Sequence, residues 1–388
     1  MKHARQRKPE YVLPAMAGSG TPEAATNPRV EFVEEAHAKL RCLVPVSADL
    51  SGSFLYLSGE DGIVIFQRDL QSGKLRFVEQ TPELRGGGYS IRCVGSRMYA
   101  VTPHDGYKRL PWHGLAWSDL NAQTGRPARQ GLVECPASLQ MIVGPGEKDL
   151  YLKACRDKAD KVFWYRLEAD GKPLSAGEVA GKGIGASDHN AYPGIFQMSP
   201  DGRHLYTVSS QDHAVACIER KPTGEIAYKK STELDPVAKR NPGNSAYAWA
   251  SLGISPDGKW LYASVRNGKP SDNFYGIFQR DAATGDLTFR EKFSGEQDAL
   301  ANMKGWNLLF SPGGTGGYLG SFAGPLLTFH YDAGTGHLTN PCLVKETKGS
   351  GTSHLMLDRE NGLLYVSGRE CGYDHVYAFK VDKQAGGK

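Results

Sequence analysis

Several glycine-containing stretches between apolar runs carry residues whose types suit chemistry. His104, Asp105 and Arg109 fall within 102–112, and Asp188, His189 and Asn190 within 181–192. Arg240, Asn241, Asn244, Tyr247 and Trp249 fall within 235–249. Asp212-His213, Trp306-Asn307 and Ser353-His354 add further polar and aromatic groups. An imidazole titrates near neutrality and can take or give a proton. A guanidinium holds a carboxylate or phosphate through two parallel hydrogen bonds. Together these types suit a proton acceptor working beside a cation on a small-molecule substrate, with His104, Arg109, Asp212, His213, Tyr247, Trp249, Trp306 and Asn307 as candidate substrate-binding residues. Polar residues on loops of a rigid scaffold are where function usually resides.

Other chemistries lack their signatures. The sequence holds no H-x-x-x-H, no C-x-x-C and no calcium loop, so no metal is expected. It holds no G-x-G-x-x-G and no Walker loop, so no cofactor is expected, and Gly86-Gly87-Gly88 reads as a flexible lead. The cysteines number seven, an odd count without a disulfide framework. The net charge of +4 owes part of its excess to Lys2, His3, Arg5, Arg7 and Lys8, which reads as a solvated tail rather than a nucleic-acid arm. No apolar stretch reaches membrane-span length, and residues 11–17, interrupted by Pro14, are too short for a signal-peptide core. The expectation is a cytoplasmic protein with free thiols, no nucleic-acid partner and no membrane.

The elements that position these residues come from an internal repeat. Ser199-Pro200-Asp201-Gly202-Arg203-His204-Leu205-Tyr206 recurs as Ser255-Pro256-Asp257-Gly258-Lys259-Trp260-Leu261-Tyr262, and more weakly as Ser311-Pro312-Gly313-Gly314 before Tyr318. In Pro-Asp-Gly, proline fixes φ, aspartate bonds its own backbone and glycine takes the left-handed position. The tyrosine can be followed as Tyr56, Tyr99, Tyr151, Tyr206, Tyr262, Tyr318 and Tyr365, at a period of about 50 residues. That period suits four strands per copy and predicts an all-β, seven-bladed β-propeller. A residue present once in every copy reads as scaffold packing.

The first copy shows the pattern: Phe54–Ser58 and Gly62–Arg68 alternate as strands, Ser72-Gly73 turns the chain, and Leu75–Glu79 follows. The last copy supplies three strands, His354–Asp358, Leu363–Ser367 and Val376–Val381. The unassigned run Arg29–Glu35 is expected to supply its fourth, closing the ring and removing exposed edges. The expected organisation is a flexible basic tail over 1–28, the propeller over 29–382 and a C-terminal tail over 383–388.

The Ser-Pro-Asp-Gly-x-x-Leu-Tyr unit, the strand ending Phe-x-x-Asp and the Thr-Gly-x-Leu turn resemble the YVTN-type repeat of the seven-bladed lactonase-like family. That family includes bacterial 6-phosphogluconolactonases and fungal carboxymuconate cycloisomerases. The resemblance spans roughly 29–382 and implies a metal-independent lactone hydrolase, or a related cycloisomerase, in carbohydrate metabolism. Family members carry Ser-Asn-Arg-Gly after the Leu-Tyr strand. Arg266, in Ser264-Val265-Arg266-Asn267-Gly268, and Arg369, in Ser367-Gly368-Arg369-Glu370, match its arginine. The sequence departs from the family at Tyr192-Pro193-Gly194, where the family places His-Pro-His, and ahead of His354, where it places Pro-Arg.

The candidate catalytic set is His189, Arg266, His354 and Arg369: the arginines match the family position, and the histidines are candidates by their chemistry. Lactone hydrolysis needs a base for water and a donor for the oxyanion. His189 or His354 would be the base, and Arg266 and Arg369 would hold the developing charge. The alternative reading is a non-catalytic propeller that binds a small molecule or a protein. A third resemblance, to the propeller subunit of amine dehydrogenases, would need a cofactor-bearing partner that this sequence does not encode.

Overall fold

The structure is a computed structural model. It describes residues 27–38, 47–59, 62–81, 90–101, 114–135, 138–154, 161–184, 195–209, 212–234, 249–266, 274–294, 306–321, 324–348, 351–370 and 373–383. Among these residues there is no α-helix, and 28 strands form seven four-stranded antiparallel sheets. After β1 (Val30–Ala38), blade 1 comprises β2 (Ser47–Ser51), β3 (Phe54–Gly59), β4 (Gly62–Arg68) and β5 (Leu75–Thr81). Blade 2 comprises β6 (Ser90–Val94), β7 (Arg97–Val101), β8 (Leu115–Leu120) and β9 (Pro127–Val133). Blade 3 is β10 (Ser138–Val143), β11 (Asp149–Ala154), β12 (Lys161–Leu167) and β13 (Pro173–Ala180). Blade 4 is β14 (Phe196–Met198), β15 (His204–Ser209), β16 (Ala214–Arg220) and β17 (Ile226–Glu233). Blade 5 is β18 (Trp249–Ile254), β19 (Trp260–Arg266), β20 (Phe274–Arg280) and β21 (Leu287–Ser294). Blade 6 is β22 (Trp306–Phe310), β23 (Gly316–Ser321), β24 (Gly324–Tyr331) and β25 (Leu338–Leu343).

Blade 7 joins the two ends of the chain. Its order is β1, then β28 (Tyr373–Val381), β27 (Leu363–Glu370) and β26 (Gly351–Asp358). The closing strand runs antiparallel to β28 from Val30 opposite Val381 to Ala38 opposite Asp374. It extends three residues beyond the expected Arg29–Glu35. Asn27 and Pro28, ahead of the expected start of the propeller at 29, already touch blade 6: Asn27 donates from Nδ2 to the Asn340 carbonyl at 2.7 Å. Residues 1–26 and 384–388 of the two expected tails lie outside the described residues.

All seven repeated tyrosines lie on second strands and are fully buried. In five blades the hydroxyl crosses to the next blade and donates to a glycine carbonyl in its third-to-fourth-strand turn. The pairs are Tyr56–Gly125, Tyr99–Gly171, Tyr151–Gly224, Tyr206–Gly285 and Tyr262–Gly336, at 2.7–3.0 Å. Each turn is preformed locally. In blade 5, Asp281 Oδ1 accepts from the Ala283 and Thr284 amides, and Gly285 takes φ +76°. A Cβ on Gly285 would lie 2.3 Å from the His204 ring, so the close approach between blades also needs glycine.

The first-to-second-strand turns are equally local. Ser199 donates to Asp201 Oδ1 at 2.6 Å and accepts from the His204 amide, and Ser255 repeats both bonds with Asp257 and Trp260. Apolar side chains from facing blades fill the space between sheets in six core clusters. The first-to-second and third-to-fourth turns therefore build one rigid face of the ring. The first strands begin, and the second strands end, toward the other face.

Candidate functional site

The repeat supplies a common ruler, because each tyrosine marks one rung of its sheet. Directly opposite residues in an antiparallel pair share a face, and so do residues two apart. Two rungs beyond the tyrosine, toward the face where second strands end, the pairs are polar in most blades. They are Ser47–Ser58, Ser90–Val101, Gln140–Lys153, Ser251–Ser264, Asn307–Gly320 and His354–Ser367 in blades 1, 2, 3, 5, 6 and 7. In blade 4 the same rung is apolar, where the Val208 amide bonds the Ile195 carbonyl. A ring of polar side chains thus underlies the channel mouth.

Two of these rungs carry β-bulges at the equivalent place, at 138/140 in blade 3 and 352/354 in blade 7. A bulge adds a residue and re-aims the side chains beside it. The blade 7 bulge presents His354, which is only 7% exposed, and brings its Nδ1 to 3.3 Å from Ser367 Oγ. The blade 3 bulge presents Gln140 beside Lys153. The Lys153 ammonium is wholly buried and donates to the Val208 carbonyl of blade 4 at 3.0 Å.

Against this ruler the expected site residues fall as follows. His354 was expected to open the innermost strand 354–358; β26 begins three residues earlier, at Gly351, and His354 lies inside it. The bulge and the sheet pairing extend that strand past the expected start. Arg266 was expected to follow its second strand; it is the last residue of β19, opposite Trp249. Arg369 lies within β27, opposite Gly351. Both arginines therefore sit four rungs above their tyrosine, two above the polar ring, in blades 5 and 7. Trp306 opens β22 opposite Ser321, and Asn307 follows on the polar rung, half-buried. Trp249 and Trp306 are strand residues rather than loop residues. His104, Arg109, His189 and Tyr247 lie outside the described residues.

Asp212 and His213 occupy the turn between β15 and β16. Asp212 Oδ2 accepts from the Gly183 amide at 2.8 Å, which ties blade 4 to the end of blade 3. The Asp212 amide in turn donates to Ser209 Oγ at 3.0 Å. His213 takes φ +47°, a left-handed conformation uncommon for a non-glycine residue, and its carbonyl accepts from Leu234. At least one Asp212 oxygen is thus committed to the scaffold.

The sequence reading passed over Asp49, Arg92, Gln140 and Lys153. Asp49 and Arg92 sit on first strands at the tyrosine rung of adjacent blades, opposite Tyr56 and Tyr99. Asp49 accepts from the Leu50 and Cys93 amides. Burial pushes its carboxyl above the ordinary range, and the Arg92 charge and the two amides only partly offset that. The Cys93 thiol is pushed well up, by burial and by the Asp49 charge. The only signal for these positions was a polar residue in a first strand, and that signal acquires meaning only once the register is known.

Also passed over were the arginines that end third strands. Arg220 pairs with Asp149 at 3.0 Å, Arg280 with Asp201 at 2.9 Å and Arg68 with Asp358 at 3.0 Å, each joining two blades. Arg220 and Arg280 also donate from Nε to Tyr151 and Tyr206. These arginines belong to the rigid face, opposite the channel mouth, and stabilise the scaffold.

Residues 141–299, from blade 3 through blade 5, match the family model described as Lactonase, 7-bladed beta-propeller. No curated protein sequence matches the chain. Among solved structures, a candidate 6-phosphogluconolactonase of Bacteroides uniformis superposes with a TM-score of 0.59 at 17% identity, over 77% of this chain and 85% of that one. The periplasmic gluconolactonase PpgL of Pseudomonas aeruginosa gives 0.58 at 20% identity, over 77% and 84%. The hydrazine synthase of Kuenenia stuttgartiensis gives 0.56 at 11% identity, over 90% and 98%. At these identities the solved structures establish the shared fold. The chain resembles the seven-bladed lactonase family, as its repeats imply.

Proposed function

We propose that this chain hydrolyses a small lactone, without a metal, at the channel mouth above the polar ring. The observation that carries the reading is the family match over residues 141–299, which includes Arg266. The register adds support: it brings Arg266, Arg369 and His354 to neighbouring rungs at one end of the ring, although they are far apart in sequence.

In this reading His354 takes a proton from water, and the water oxygen attacks the lactone carbonyl. Arg266 and Arg369 stabilise the oxyanion, which is worth most in a site shielded from water. The ring C–O bond then breaks, and the imidazolium returns its proton to the leaving alkoxide. The product is the open-chain hydroxy acid, whose carboxylate suits a guanidinium. His189 is the alternative base. The reading needs no cofactor and places the protein in the cytoplasm, in carbohydrate metabolism, with a lactone or anionic metabolite as its ligand. Cycloisomerisation of a related acid is the sister activity.

A second reading, a non-catalytic binding propeller, draws on the same fold carrying the unrelated hydrazine synthase chain. The two readings separate in one assay: acid release from a panel of lactones, with chelator present. The hydrolase reading expects turnover that Arg266→Lys reduces severely, since lysine cannot make the planar two-point contact. Full turnover in the double variant Arg266→Ala, Arg369→Ala would sink the catalytic assignment. No turnover of any lactone would leave the binding reading in front.

A further inference from the structure

We propose that the gap between blades 3 and 4, below the channel mouth, is a ligand subsite in which Gln140 and Thr207 hold one hydroxyl of a hydroxylated lactone. The proposal rests on the reading of the channel mouth as the lactone site, and it names the group that site selects.

Neighbouring blades meet with a fixed offset. Ser47 Oγ accepts from the Ile91 amide of blade 2 at 3.1 Å, and Ser90 Oγ accepts from the Met141 amide of blade 3 at 3.1 Å. Each serine lies two rungs beyond its tyrosine, and each amide one rung beyond the tyrosine of the next blade. The polar rung of one blade therefore faces the first rung beyond the tyrosine in its successor. In blade 3 the polar rung carries Gln140 opposite Lys153, whose ammonium reaches the Val208 carbonyl of blade 4. The same offset sets Gln140 against the rung of blade 4 in which Phe196 lies opposite Thr207.

Both residues depart from the repeat. Glutamine stands where blades 1 and 2 carry Ser47 and Ser90, which are bonded to the scaffold. Thr207 stands where the other six blades carry Leu57, Ala100, Leu152, Ala263, Leu319 and Val366, all buried. Tyr206 points to blade 5, so Thr207, one residue on, points to blade 3. Ala216, opposite Thr207, agrees: a Cβ on Gly183, at the end of blade 3, would lie 3.3 Å from its Cβ.

Thr207 is wholly buried and Gln140 is 7% exposed. Gln140 Oε1 and Thr207 Oγ1 are buried atoms without a hydrogen-bond partner. Buried polar atoms are ordinarily paired, so two unpaired oxygens in one gap point to a partner from outside the chain. Gln140 Oε1 can only accept, while the Thr207 hydroxyl can donate or accept. A ligand hydroxyl donates to the first and accepts from the second. A carboxylate or phosphate oxygen has no proton to give Gln140. A site built to bond a hydroxyl discriminates against a ligand that lacks it.

The test is calorimetric binding to the full chain of two lactams, gluconolactam and the unsubstituted piperidin-2-one, which separates binding from turnover. The wild type should bind gluconolactam at least about tenfold more tightly. Thr207→Val, which keeps the shape, and Gln140→Met, which keeps the length, should each remove most of that preference. Either variant suffices where the other fails to fold. Equal affinity for the two lactams in the wild type overturns the proposal, and so does binding of neither. An unchanged preference in a folded variant overturns it too. Should the preference hold and respond to the variants while no lactone is hydrolysed, the proposed function fails and the subsite stands.

Discussion

The Tyr262 hydroxyl donates to the carbonyl of Gly336, in the third-to-fourth-strand turn of the next blade, at 2.7 Å. Four other blades repeat this bond, so the repeated tyrosine locks five of the seven blades to their successors. Tyr318 and Tyr365 are the two exceptions, and at Tyr318 the absence has a topological cause. Its successor is blade 7, where the third and fourth strands are β28 and β1, from opposite ends of the chain. No turn joins them, and the Tyr318 hydroxyl is left without a hydrogen-bond partner.

This difference predicts unequal costs for the same substitution. Tyr262→Phe leaves a buried carbonyl unpaired and should lose about 1–2 kcal/mol of stability. Tyr318→Phe removes a hydroxyl that is already unpaired and should be neutral or slightly stabilising. Chemical denaturation of both variants checks this, and a loss at Tyr318 equal to that at Tyr262 would contradict the topological account.

The Asp149–Arg220 pair gives a second prediction. Both side chains are nearly buried, and Asp149 also accepts from Trp164 Nε1 at 2.8 Å. Removing one partner strands a buried charge, so Asp149→Ala should cost about 3–5 kcal/mol. Replacing both, as Asp149→Leu with Arg220→Met, should recover much of that loss. Urea unfolding of the single and double variants supplies the comparison.

Among the described residues, His204 gives stability a pH dependence near neutrality. His204 is buried, with Nδ1 3.0 Å from Arg280 Nη2. Burial, and then the Arg280 charge, hold its imidazole below the ordinary value of 6.5. The unfolded chain therefore binds this proton more readily, so stability falls as pH drops below about 6.5. Asp201 acts in a separate window. Burial pushes its carboxyl up, but the bonds from Ser199, Arg280 and the Arg203 amide outweigh that and hold it at about 2. Its contribution is present above the ordinary carboxylate value and fades as pH falls toward 2. Unfolding free energy measured from pH 7 to 5 should thus slope less in His204→Asn than in the wild type. Equal slopes would rule His204 out as the source.

The scaffold was legible in the sequence because every blade repeats it. The tyrosine, the Pro-Asp-Gly turn and the Thr-Gly turn are local signals whose meaning does not depend on distant partners. The candidate site was legible only in part. Arg266, Arg369 and His354 stand out by residue type, yet their common level in the ring depends on register and on two bulges that no local pattern marks. The strand reading began this strand at His354, three residues after its actual start at Gly351, for that reason. Nothing in the sequence marks Lys153 and Arg280 as interior, and only packing against a neighbouring blade makes them so. Asp49 gave no signal beyond being polar in a first strand.

Ring closure yields the last prediction. Eight residues of β1 find partners on β28, from Val30 to Ala38, with a register shift between Phe32 and Glu34. The same strand reaches blade 1, where a Glu34 oxygen accepts from the Leu75 amide and the Val33 side chain packs near Gly73. Deleting residues 1–38 would leave β28 as an unpaired edge and remove this bridge to blade 1. Exposed edges of this kind are templates for association. The truncated chain should therefore aggregate or unfold at temperatures where the full chain is stable. Adding a peptide of residues 27–38 in trans should raise its melting temperature, because the vacated edge offers the backbone hydrogen bonds the peptide needs. Thermal unfolding and light scattering, with and without the peptide, read both effects. A truncation as stable and monodisperse as the full chain would show that β1 decorates blade 7 rather than closing the ring.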